Sequence, residues 1–217
     1  MPVSEFPPLE LADKHGLLAI GGDLAVETLV LAYSNGIFPW PFEEESLAWF
    51  APPQRAVLFL KDLHVARSLL KFQKTCSWKF TFDQAFKEVI KECAAPINRG
   101  SQNGTWITRD IIKGYTDFHL AGYAHSCKCW EGSTLVAGLY CVNIGKFFAA
   151  ESMFYRKPNA SKLSLLFLLK HLQAQGVEWV DCQQLNPVTK AFGAKNIKRD
   201  KFMSLLKAAL EKESIKF

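Results

Sequence analysis

Two acidic residues of this chain close apolar runs, where a charge is costly unless a cation or a donor meets it. Glu151-Ser152-Met153-Phe154 follows Phe147-Phe148-Ala149-Ala150, and Asp181-Cys182-Gln183 follows Val177-Glu178-Trp179-Val180. Strand alternation puts Asp181 and Gln183 on the same side, so Asp181 can accept from the Gln183 side-chain amide and fix where the amide oxygen points. From these residues alone, a surface-paired glutamate and an ordinary polar turn remain open as alternatives. Two tryptophans stand outside core patterns: Trp49 after an acidic loop, and Trp106 after Gly100-Ser101-Gln102-Asn103-Gly104. An aromatic beside a glycine loop suits stacking on a nucleobase, with a buried core indole as the alternative. Serine-hydrolase elbows, zincin helices, Walker loops and dinucleotide fingerprints are absent from the sequence. His125-Ser126-Cys127-Lys128-Cys129 lacks the paired spacing of a structural zinc site. Neither a metal nor a cofactor is expected.

The elements that must position these residues read as follows. Asp23 is placed to cap a helix over Leu24–Ser34 that Gly36 terminates, and Ile37–Phe42 carries two prolines that forbid a helix or a central strand. A strand is expected over Ala56–Leu60, then helices over His64–Lys71 and Phe82–Cys93, the second capped by Asp83. Asn98–Gly104 is a glycine-rich loop, and Thr108 caps a helix through Leu120. Strands over Ala124–Trp130, Leu135–Ile144 and Phe147–Ser152 are joined by Glu131-Gly132-Ser133 and Gly145-Lys146 turns. A helix over Ser161–Gln175, a strand over Val177–Asp181 and a last helix over Asp200–Lys212 complete the chain. Hairpin strands followed by a helical crossover give an α/β (α+β) layer structure whose crossover strand lies parallel to a neighbour. Ligands in such sheets bind beyond the strands' carboxyl ends, where Glu151 and Asp181 are expected.

With 217 residues, 49% of them apolar and 22% charged, the composition is that of an ordinary globular protein. The 17 Phe and 6 Trp exclude dominant disorder. No apolar run reaches the roughly 18 residues of a membrane span, and the N-terminus carries no export signal. Six cysteines in mostly apolar segments then read as reduced thiols, and a cytoplasmic location follows. Charge is uneven: residues 1–50 hold one basic and eight acidic groups, 51–155 hold 13 and 8, and 156–217 hold 12 and 5. Net values of −7, +5 and +7 suggest a polyanionic partner for the later part, against the plainer reading of a solvated lysine-rich surface.

Taken in order, GLLAIGGDL, YSNGIFPW, WFAPPQRAVL, GTWIT, AHS, LVAGLY, ESMF, ASK, DCQ-x-LN and GA resemble the bacterial leucyl/phenylalanyl-tRNA–protein transferases from about Leu17 to Leu206. The resemblance implies a small N-terminal domain (1–61) and a catalytic domain (62–217) of the GNAT, acyl-CoA N-acyltransferase, type with a mixed sheet flanked by helices. It implies transfer of Leu or Phe from aminoacyl-tRNA to the α-amine of proteins beginning with Lys or Arg, which creates an N-end-rule degradation signal. Glu151, Asp181 and Gln183 match the family's polar catalytic group, and Trp49 and Trp106 match tryptophans that embrace the 3′-terminal adenosine. Leu139, Phe148 and Met153 would line the acyl pocket. Leu139 replaces a usual Met, a volume-conserving change; Ala137, Cys141, Phe50 and Phe192 also depart from the pattern, and none of these is a polar catalytic residue. A monomer without membrane association is expected. The competing classes are a CoA-dependent N-acyltransferase, disfavoured because no glycine precedes the Ser161 helix to cradle a pyrophosphate, and a non-catalytic tRNA-binding module.

Overall fold

A computed structural model describes residues 2–42, 46–95 and 106–217. The expected loop at 98–104 lies outside the described residues. Two sheets organise the chain. The smaller has β1 (Leu17–Ile20), β3 (Ser46–Phe50) and β2 (Phe38–Phe42) in that order, all antiparallel. Pro39 and Pro41 lie on β2, an edge strand, where a missing backbone N–H costs no ladder bond. Helix α1 (Val26–Ser34) precedes β2. Asp23 does not cap it as expected: the N-cap is Ala25, without a side-chain cap, and the Asp23 carboxylate just ahead accepts from the Ala25 backbone N–H at 2.9 Å and the Thr28 hydroxyl at 2.7 Å.

The larger sheet has seven strands in the order β10-β4-β9-β8-β7-β6-β5. These are β4 (Gln54–Phe59), β5 (Lys79–Phe82), β6 (Ala124–Glu131), β7 (Thr134–Ile144), β8 (Phe147–Tyr155), β9 (Trp179–Gln183) and β10 (Lys195–Lys198). All neighbours are antiparallel except β8 and β9, the pair joined by helix α5 (Ala160–Ala174). The sheet is therefore mixed and flanked by helices, the architecture expected from the order of strands and crossover. Strand β4, from the segment assigned to the N-terminal unit, pairs here with both β9 and β10.

Two cores cover the two faces. One packs α1, α3 (Phe86–Ala94), α4 (Arg109–Leu120) and α7 (Arg199–Leu210) against the sheet around Tyr33, Ile90, Tyr115, Tyr140 and Phe202. The other packs α5 and α2 (Arg67–Thr75) around Leu139, Phe148, Leu166 and Leu169. A five-residue helix, α6 (Pro187–Ala191), follows β9 and is capped by Asn186. Thr108 caps α4 as expected, its hydroxyl accepting from the Ile111 N–H at 3.3 Å. Asp83 does not cap α3. Its carboxylate is taken by His125 Nδ1 and the Ser126 N–H, both at 2.7 Å; Phe82, the first residue of the expected helix, ends β5 instead, and the helix starts at Phe86. None of the six cysteines is in a disulfide. Among the described residues no helix is long and apolar enough to cross a membrane.

Candidate active site

The register between β8 and β9 is a single pair, Ala149 with Asp181, and the strands part after it. Both carry an irregularity at this point. Consecutive Tyr140 and Cys141 on β7 face Ser152 and Ala150, which leaves Glu151 as the extra residue of a β-bulge. Consecutive Ala56 and Val57 on β4 face Gln183 and Asp181, which leaves Cys182 extra in the same way. Bulges re-aim side chains and gather beside active sites. Glu151 thus lies inside β8, at a bulge, and not at the strand end expected from the sequence. Gln183 adopts φ of +56°, a left-handed conformation rare outside glycine and a sign of local strain.

A cavity of about 220 Å³ opens where the strands part. Trp40, Trp106, Tyr140, Glu151 and Gln183 line one part, and Leu139, Met153 and Leu165 line another. Tyr140 belongs to one core and Leu139 to the other, so the cavity passes between β8 and β9 from face to face. A larger cleft of about 570 Å³ lies between Gly21–Ala25 and α4, but neither Glu151, Asp181 nor Gln183 lines it. Glu151 and Gln183 line the smaller one.

Asp181 is fully buried and held by Arg55, itself 2% exposed. The guanidinium Nε lies 2.9 Å and 3.1 Å from the two carboxylate oxygens, and Nη2 lies 2.7 Å from Oδ2. Nη1 donates to the Gly36 carbonyl at 3.0 Å, and the guanidinium sits 4.5 Å and 4.6 Å from the Phe38 and Phe202 ring centres. The remaining donor on Asp181 is the Gln183 backbone N–H at 2.8 Å. Asp181 therefore fixes the Gln183 main chain. The side-chain amide that it was expected to hold belongs to Glu151: Gln183 Nε2 donates to Glu151 Oε1 at 3.0 Å. The reason is geometric, since the bulge at Glu151 turns that carboxylate toward β9 while Asp181 is saturated by Arg55.

Among the described residues, Glu151 meets no cation in direct contact. Its donors are Gln183 and the Tyr33 hydroxyl at 2.8 Å. Tyr33 spends its only proton on Glu151, so the short hydrogen bond between Tyr33 and Tyr115 has Tyr115 as donor. Burial pushes the Glu151 carboxyl up to about 7, and the Tyr33 and Gln183 hydrogen bonds only partly offset it. Both tyrosine hydroxyls are held well above their usual range, first by burial and then by the Glu151 charge. They stay protonated donors.

The structure brings Glu151, Gln183, Trp106, Leu139 and Met153 to one cavity and leaves three expected residues out of its lining: Asp181, buried behind it on Arg55, Trp49 and Phe148. Trp49 is 1% exposed on the central strand of the small sheet, with Nε1 donating to the Gly21 carbonyl at 2.9 Å and Phe6 edge-on at 4.9 Å. Neither face of its indole reaches the cavity. Trp40 stands in its place: residue 40 faces Ala48 across the sheet while Trp49 faces Pro39, so alternation sends the two indoles to opposite sides. Trp40 stacks on Trp106, with ring centres 4.9 Å apart and planes 14° apart. Phe148 is fully buried in the α5-side core beside Phe217 and does not line the cavity; Leu165 does. Sequence reasoning missed Trp40, Arg55, Tyr33 and Tyr115. Arg55 had a signal, for a cation beside Ala56-Val57-Leu58 needs a buried carboxylate as much as Asp181 needs a cation.

Residues 57–207 match the family Leucyl/phenylalanyl-tRNA protein transferase, and residues 22–53 match the N-terminal domain of the same family. The Leucyl/phenylalanyl-tRNA--protein transferase of Shewanella baltica (strain OS155) is 46% identical over 200 residues, covering 92% of this chain and 84% of that one. The protein of the same name from Shewanella piezotolerans is 46% identical over 204 residues, covering 93% and 86%. Among solved structures, that of L-PGS from Bacillus licheniformis covers 74% of this chain and 51% of its own at 13% identity, with a TM-score of 0.41.

Proposed function

The chain belongs to the leucyl/phenylalanyl-tRNA protein transferase family, and from that premise we propose that it moves a leucyl or phenylalanyl group from aminoacyl-tRNA to the α-amine of proteins beginning with Arg or Lys. The product is a degradation signal of the N-end rule. The Trp40–Trp106 pair receives the 3′-terminal adenosine, and Leu139, Met153 and Leu165 receive the acyl side chain. An apolar wall of this kind separates side chains by about 1–3 kcal/mol per methylene and rejects polar ones by leaving them without partners.

The acceptor arrives as an ammonium and must lose a proton before it can attack. Glu151, poised at about 7, takes that proton and holds the terminus. Gln183 cannot act as a base, since an amide is far too weakly basic. With Nε2 committed to Glu151, its Oε1 accepts an N–H of the incoming amine and aims the nitrogen at the ester carbonyl. The new C–N bond forms as the carbonyl becomes a tetrahedral oxyanion. On collapse the C–O bond breaks, and the ribose oxygen leaves with the second amine proton. Ester becomes amide, and no ATP is consumed. Asp181 and Arg55 act one step back, as positioning residues for the Gln183 main chain.

The observation that carries this reading is the Gln183–Glu151 hydrogen bond beside the paired indoles in one cavity. Its test is incubation with radiolabelled Leu-tRNA or Phe-tRNA and a peptide beginning with Arg. Label should appear at the peptide's N-terminus from both, and far less from Val-tRNA. A folded protein that leaves the label on RNA, or that acylates the peptide from acetyl-CoA instead, overturns the proposal.

A further inference from the structure

Helices α3 and α4, which precede and follow Trp106 in the chain, sort their charges in a way the transfer reaction does not use. On α3, Lys87 and Lys91 recur at four-residue spacing, as do Glu88 and Glu92, so each pair forms a stripe on its own face. The acidic stripe is consumed by the sheet: Glu88 meets the buried Lys128 at 3.4 Å, and Glu92 meets Arg156 at 2.6 Å. The basic stripe turns the other way, toward α4. There Lys87, Lys91, Arg109 and Lys113, all exposed, line a groove of about 320 Å³ floored by Ile112. Its single carboxylate, Asp117, is bound to Lys113 at 2.8 Å. Among the described residues, Lys87, Lys91 and Arg109 pair with no carboxylate. Four cations against one anion leave the groove at +3.

We propose that this α3–α4 groove is a phosphate track that grips the RNA strand leading away from the 3′-terminal adenosine. The inference rests on the transfer reading for the identity of the RNA, and it adds where the body of that RNA lies. Three features select a nucleic acid over an acidic protein. The groove begins at Arg109, three residues after Trp106, so it continues from the indole pair that receives the terminal base. Along α4, Arg109 and Lys113 are about 6 Å apart by helical rise, a spacing that lets successive phosphates be met in turn. The cations are exposed on long, flexible side chains, which suits sequence-independent contact with a phosphate backbone. Lysines at the sheet side of α3 would have produced the opposite result; the track exists because Lys128 and Arg156 absorb the glutamates.

The experiment compares the wild-type chain with Lys87→Gln/Lys91→Gln, exposed changes that keep helix-forming residues. Binding of uncharged tRNA is measured across salt, and transfer to an Arg-starting peptide is measured from Leu-tRNA and from 3′-O-leucyl-adenosine, which has no RNA body. The double variant should bind tRNA about tenfold or more weakly, and its log–log salt slope should be shallower by about 1.4–1.8 for two lost phosphate contacts. Transfer from leucyl-adenosine should be unchanged. An unaltered affinity and slope overturns the track. A higher KM for the peptide with tRNA binding intact also overturns it, because the groove then serves an acidic stretch of the acceptor protein. The readouts separate the two claims: a wild-type chain that transfers nothing but loses tRNA on this substitution refutes the transfer reading alone.

Discussion

Asp181 and Glu151 are carboxylates inside neighbouring strands, each at or beside a bulge, yet their surroundings are opposite. Asp181 faces a guanidinium that is itself clamped between two phenyl rings, and every hydrogen-bonding direction around it is taken. Glu151 faces only neutral donors, a tyrosine and an amide. A lone acid among neutral donors sits near its own midpoint and exchanges readily. Similar chemistry in the sequence therefore becomes architecture on β9 and reactivity on β8.

The sharpest way to break this contrast is Asp181→Ala. It strands a buried guanidinium and should cost about 3–5 kcal/mol of unfolding free energy in urea titration. If Glu151→Gln costs as much, the two carboxylates do not differ as described. Glu151→Gln should instead keep the fold while turnover falls about 100-fold, near 2.7 kcal/mol in the barrier. The pH dependence carries the same distinction. Burial raises the Glu151 carboxyl from 4.5 to about 7 in the folded chain, so its neutral form favours folding fully below pH 4.5, and that contribution is lost as pH rises through 7. Glu151→Gln, which cannot ionise, should accordingly gain on wild type by on the order of 1–3 kcal/mol between pH 5 and pH 8 in unfolding experiments. The limb of the kcat/KM profile near pH 7 should vanish with it and leave only the amine's own titration near 8.

Smaller effects sharpen the picture. If Gln183 has the proposed role of aligning the amine, Gln183→Ala should lower kcat by about tenfold or more with little change in tRNA affinity; a collapse in binding alone refutes that role. Tyr33→Phe removes one donor from the Glu151 carboxylate and should move the pH midpoint upward by about one unit, equal to 1.4 kcal/mol. A downward move contradicts the donor assignment along the Tyr115–Tyr33–Glu151 chain.

Strand and helix order along residues 108–181 was legible because periodicity, the Thr108 cap and the two turns agree locally. What was not legible depends on contacts between distant segments. Asp83 is a good cap by type, but a partner 42 residues away, His125, claims it. Trp49 and Trp40 differ in nothing the local sequence shows; the register of the small sheet decides which indole reaches the cavity. Glu151, Asp181 and Gln183 could be singled out as neighbours because a charge closing an apolar run is a local signal, although both carboxylates lie inside their strands and not at the expected ends. Their wiring was not legible, because a bulge shifts a side chain by one place without leaving a mark in composition.

That bulge has a consequence for how the strand can be edited. Before residue 151, Phe147 and Ala149 feed the α3–α4 core; after it, Phe154 does, so the odd-numbered phase has become even. Glu151 is a spacer as well as an acid. Excising this one residue would let Ala150 and Ser152 follow one another opposite Cys141 and Tyr140, and every apolar side chain of β8 would keep its place. The shortened chain should fold with a more regular sheet and do no chemistry, a strand perfected at the expense of the enzyme.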